Sequence, residues 1–207
     1  QVIDIELPPI VRFERQGGGK EAIENAAKLL SKAKFPVILS GAGVVLGGAI
    51  DECKKLAEKL DAPVCNGYQH NDSFPGSHPL AVGPLGYNGS KAAMELISKA
   101  DVVLALGTRL NPFSTLPGYG IDYWPIKATI IQVDMNPDRI GLTKKVSVGI
   151  CGDAKQVAQQ ILDKLSSDAG NTGREERKNL IHKTKSAWLQ TLSGLDHEED
   201  DPGTVWN

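Results

Sequence analysis

Pro36-Val-Ile-Leu-Ser40 is a short apolar run with no polar interruption until its last residue, and Gly41-Ala-Gly43 follows at once. A strand with one wet face alternates in polarity. An unbroken run this short suits a strand covered on both faces, as in parallel sheets. The surrounding chain repeats the theme. Ala22, Ile23, Ala26, Ala27, Leu30 and Ala33 share a helical face before the run, and Ala49, Ile50, Cys53, Leu56, Ala57 and Leu60 share another after it. Ala62-Pro-Val-Cys65, Asp101-Val-Val-Leu-Ala-Leu106, Ala128-Thr-Ile-Ile-Gln-Val133 and Val146-Ser-Val-Gly-Ile150 read as further strands. Ser90 and Asp153 stand where helix caps are wanted, before the helical patterns Ala93–Ala100 and Val157–Leu165. This alternation predicts an α/β fold: a doubly wound, mainly parallel, Rossmann-like sheet of five or six strands.

Residues 1–18, with Pro8-Pro9 and Gly17-Gly18-Gly19, read as an extended linker, and residues 19–166 as the domain. Residues 167–207 read as a polar linker, a trailing helix and an acidic tail. The helix, Arg174 to Leu192, carries only a thin stripe of Leu180, Ile181, Trp188 and Leu192, which suits contact with another domain's surface. Trp206 in the tail has no core of its own to enter. The chain lacks a starting methionine and is read as a piece of a longer one, with further domains before and after it.

Across 207 residues the net charge is -2, which argues against nucleic acid or an anionic membrane as partner. No apolar run reaches the length of a membrane span, and Gln1-Val-Ile-Asp-Ile-Glu6 has neither part of a signal peptide. Cys53, Cys65 and Cys151 have no paired or metal-type spacing. They fit three buried thiols in a reducing cytoplasm, and no metal site is expected.

Two connections, residues 67–89 and 107–127, exceed what a turn needs, and each follows a strand. They emerge at the carboxyl edge of the sheet, where open α/β folds bind ligands. The first holds Tyr68-Gln-His-Asn-Asp-Ser-Phe-Pro-Gly-Ser-His78. His70, Asn71 and Asp72 there can donate or move protons near a substrate, or tie the loop together through their own backbone bonds. Gly83-Pro-Leu-Gly-Tyr-Asn-Gly-Ser90 approaches a helix; Gly86, Asn88, Gly89 and Ser90 are anion-binding candidates or a structural turn. Arg109 closes a strand and can grip an anion or pair with a carboxylate. Ser40-Gly-Ala-Gly-Val-Val-Leu-Gly-Gly48 misses the dinucleotide spacing and reads as a tight strand–helix turn without a ligand.

The order Phe35-Pro-Val-Ile38, Ser40-Gly-Ala-Gly43, Gly86-Tyr-Asn-Gly-Ser90, Asp101 through Arg109, Ile131-Gln-Val-Asp134 and Gly152-Asp-Ala154 resembles the central domain of thiamine-diphosphate enzymes of the acetohydroxyacid synthase group, over about residues 19–166. His70-Asn-Asp-Ser-Phe-Pro75, Asp122-Tyr-Trp-Pro125 and Val148 through Ala154 resemble the branch of that group acting on sulfoacetaldehyde. The resemblance implies a desulfonating acyl transfer. Sulfoacetaldehyde adds to the cofactor, sulfite leaves, and phosphate takes the acetyl group. It implies thiamine diphosphate and Mg2+, held by domains outside these residues, since Gly152-Asp153-Ala154 lacks the third glycine and paired asparagines of the metal motif. It implies a homo-oligomer and an inactive fragment. Some members of the group hold FAD or ADP at positions matching Gly86–Ser90 and Gly107–Arg109. Leu110 to Leu116 lacks the second basic residue of the flavin pattern, so the expectation is an empty or vestigial nucleotide cleft. Another enzyme of the group, a nucleotide-binding module and a subunit-contact scaffold are the alternatives.

Overall fold

The computed structural model describes residues 14–194. Most of the leading linker and the acidic tail with Trp206 lie outside the described residues.

Six strands form one sheet: β1 (Pro36–Ser40), β2 (Val64–Asn66), β3 (Ala81–Pro84), β4 (Val102–Leu106), β5 (Thr129–Asp134) and β6 (Val148–Cys151). Their order is β3-β2-β1-β4-β5-β6, and every pairing is parallel. The helices are α1 (Lys20–Lys32), α2 (Ala42–Gly47), α3 (Ile50–Leu60), α4 (Lys91–Ile97), α5 (Ala154–Lys164) and α6 (Arg174–Ser193). The doubly wound parallel sheet foreseen from the apolar runs is the observed one.

β1 and β4 occupy the centre, and all five residues of each are buried. Side chains alternate across the sheet. Ser40 lies beside Cys53 of α3, whereas the Cys65 thiol reaches the Ala93 carbonyl of α4. Because Ser40 pairs with Asn66 rather than Cys65, α3 and α4 cover opposite faces. α1 and α3 pack on α5, and α4 packs on α6.

Two elements differ from the sequence reading. β3 lies inside the stretch read as one long connection. Its Ala-Val-Gly-Pro sequence is short and holds two breakers, tolerated because β3 is an edge strand. The Gly41-Ala-Gly43 turn opens directly into the short helix α2, which Gly48 ends in the left-handed region at φ +64°. The caps are as read. Ser90 Oγ accepts from the Ala93 amide, and Asp153 accepts from the Lys155 and Gln156 amides.

α6 lays its inner face on this domain's own α4, with Ile181 buried and Leu180 packed on the core. The stripe toward the helix end differs: Leu192 is exposed. Trp188 meets Tyr119 edge-on at 5.6 Å.

Candidate functional site

The chain runs outward from β1 to β3 and returns across the sheet to β4, so a crevice opens between the carboxyl ends of β1 and β4. A cleft of about 790 Å³ lies there, lined by residues following β1, β2, β4, β5 and β6. Its floor is close-packed backbone. The Gly41 amide donates to the Leu106 carbonyl, and the Gly43 amide to the Gly107 carbonyl at 2.8 Å. A Cβ on Gly43 would stand 2.7 Å from the Gly107 Cα, so the glycines serve backbone contact. Their amides are spent on carbonyls at the end of β4 and just beyond it.

His70 lines this cleft from the β2 side and Arg109 from the β4 side. Asn71 and Asp72 stand on the same turn but do not line it. Residues 71–73 form a single 3-10 turn, and Asp72 Oδ1 lies 4.0 Å from His70 Nδ1. Gly86, Asn88, Gly89 and Ser90 form the neighbouring rim, outside the cleft. Their segment is bonded internally. The Gly89 and Ser90 amides donate to the Gly86 and Pro84 carbonyls, and the Tyr87 amide to the Phe113 carbonyl. Gly86 sits at φ +84°, where a Cβ would strike the Phe113 carbonyl.

The three loops after β2, β3 and β4 converge through aromatic rings. Tyr68 stacks on Phe113 at 5.7 Å and meets Tyr87 edge-on at 6.4 Å. Tyr87 and Phe113 are more than half exposed. Buried Tyr123 anchors the 107–127 connection, and burial raises its phenol above the ordinary range.

Several participants escape a sequence reading. Arg15 and Arg139 also line the cleft. Arg15 Nη1 donates to the Gly47 carbonyl at 2.6 Å and stands 3.6 Å from the Asp153 carboxylate. The buried Gln132 amide donates to the carbonyls of Thr108 and Arg139 and accepts from the Gly141 amide. It braces the backbones that carry Arg109 and Arg139. Ser40, Asn66 and Ser73 form a buried polar knot under His70. The available signal was a polar residue ending each of β1 and β2, and one within β5.

The chain is 78% identical over all 207 residues to a protein named probable sulfoacetaldehyde acetyltransferase from Rhizobium meliloti (strain 1021). It is 76% identical over its full length to the sulfoacetaldehyde acetyltransferase of Roseovarius nubinhibens. The chain spans 35% and 34% of the length of these two relatives. A more distant relative, at 36% identity over 200 residues, is the probable acetolactate synthase large subunit of Methanocaldococcus jannaschii, of which 31% is covered. Residues 23–161 match the family described as thiamine pyrophosphate enzyme, central domain, and the chain belongs to that family.

Proposed function

We propose that the protein containing this chain is a sulfoacetaldehyde acetyltransferase, which takes sulfoacetaldehyde and phosphate to sulfite and acetyl phosphate. The 78% identity sustained over all 207 residues carries this reading, against 36% to the acetolactate synthase relative. Residues 19–166 act as the central layer. Residues 1–18 and 167–207 join it to domains before and after, in a cytoplasmic homo-oligomer.

Thiamine diphosphate supplies the carbanion chemistry of such a transfer. The described side chains do not fit that cofactor with Mg2+. Among the described residues, no group of His, Cys, Asp or Glu side chains is arranged to hold a metal ion. The one Gly-Asp pair that invites comparison has its carboxylate occupied, capping α5 and facing Arg15. The cofactor and its metal therefore belong to the flanking domains, and these residues serve in binding. His70, Asn71 and Asp72 are the substrate-proximal residues in this reading. Of the three, His70 lines the cleft, and its imidazole offers an N–H donor of the kind a sulfonate accepts.

The cleft itself is, in this reading, an empty or vestigial nucleotide site. In the alternative of a nucleotide-binding module, Arg109 is the residue that grips the anion of FAD or ADP from the β4 side, with Gly86, Asn88, Gly89 and Ser90 on the neighbouring rim.

The full-length protein is expected to release sulfite from sulfoacetaldehyde only with phosphate, thiamine diphosphate and Mg2+ together, and to form acetyl phosphate in equal amount. Absence of sulfite under those conditions refutes the reaction. Sulfite release by the 207-residue chain alone refutes the division of labour.

A further inference from the structure

Ser40 and Asn66 end the adjacent strands β1 and β2, in register with one another. Polar side chains at such enclosed positions are costly unless fully bonded. They are enclosed: Ser40 is 0%, Asn66 4% and Ser73 0% exposed. Ser40 and Ser73 exchange two bonds, each hydroxyl donating to the other's carbonyl, at 3.1 Å and 3.2 Å. The Asn66 amide donates twice, to the Ser73 hydroxyl at 3.0 Å and to the His70 carbonyl at 3.2 Å. The His70 amide in turn donates to the Gly67 carbonyl, and the Ser73 amide to the His70 carbonyl. The backbone of His70 is held on both sides while its side chain, 37% exposed, lines the cleft.

A loop that only needed to cover the sheet would be served by apolar contacts. A polar knot selects one geometry, because each member fixes the direction of the next. We infer that Asn66, supported by Ser40 and Ser73, is a positioning residue that sets His70 against the substrate. This rests on the proposed reaction at the same edge. Asn66 is buried and its amide hydrogens face inward, to the turn.

The test uses the full-length protein with Asn66→Ala, His70→Ala and the double variant, assayed for sulfite release. Asn66→Ala is expected to lower kcat by about tenfold or more, since small displacements of a working group are that costly. Its KM for sulfoacetaldehyde should stay near the wild-type value. The double variant should be no slower than His70→Ala alone, because the two act through one side chain. A merely structural Asn66 gives losses that multiply, and that result overturns the inference, as does a wild-type rate for either single variant. Ser73→Ala, which removes one hydroxyl of the knot, should reproduce the pattern and replaces Asn66→Ala if that variant is insoluble. Amide hydrogen exchange over residues 68–74 separates this inference from the reaction it rests on. If the wild type releases no sulfite, the reaction is wrong. Faster exchange confined to that segment in Asn66→Ala then still supports the positioning role, and unchanged exchange overturns it.

Discussion

Cys53 and Cys65 are wholly enclosed, on opposite faces of the sheet, whereas Cys151, read from the sequence as a third buried thiol, is exposed. Burial pushes the Cys53 thiol up from its ordinary 9.0 to about 12, partly offset by the Ser40 hydroxyl, and moves Cys65 in the same direction. In the unfolded chain both ionise at ordinary pH values, so above pH 9.0 the unfolded state loses protons that the fold retains. Stability is therefore full below that pH and declines as pH rises toward about 12. Denaturant midpoints taken across the alkaline range should fall, and the fall should flatten in the Cys53→Ala, Cys65→Ala double variant. The Ser90 and Asp153 caps were legible beforehand, because capping depends on a residue and its nearest neighbours. Ser40, Asn66 and Gln132 were not. What each bonds lies on another strand or loop, and a polar residue at a strand end announces nothing until that partner is known.

The apolar runs of β1, β4 and β5 could be read directly, since their burial on both faces leaves a compositional mark. β3 could not: with Gly83 at φ +92° and Pro84 at its end, it is a strand by virtue of its pairing with β2. α6 was legible in extent, yet its contacts were not. Its anchor is a charge, a residue the apolar stripe omits. Arg177 is 1% exposed and donates to five carbonyls, those of Lys34, Leu60, Asp61, Gly170 and Thr172. The guanidinium thus satisfies the end of α3 and pins the 166–173 connection and the start of α6 to the domain. Arg177→Ala strands those acceptors and should lower unfolding free energy by about 3 kcal/mol or more, read from urea midpoints. Arg177→Lys should recover little of it, because one ammonium cannot reach carbonyls spread around a planar fork.

For the molecule entire, the sheet order decides where chemistry is presented, and the position of the cleft follows from topology before any side chain is named. That much was foreseeable from two long connections after strands. The convergence of Arg15, Arg109 and Arg139, from three distant parts of the chain, was visible only once the strands stood side by side. Calorimetric titration of the full-length protein with ADP should show no binding; binding that Arg109→Ala weakens by about tenfold, the worth of a charge-assisted contact, would favour the nucleotide-binding alternative instead. The same sheet order has a consequence for biosynthesis. β1 acquires β2 soon after it is made, but its other flank waits for β4, with Pro36 paired to Val102 and Ser40 to Leu106. Until that strand leaves the ribosome, the middle of the future sheet is a bare apolar edge with unmet backbone groups. The nascent chain is then most in need of a chaperone, and translational pausing between residues 67 and 101 would prolong that exposure.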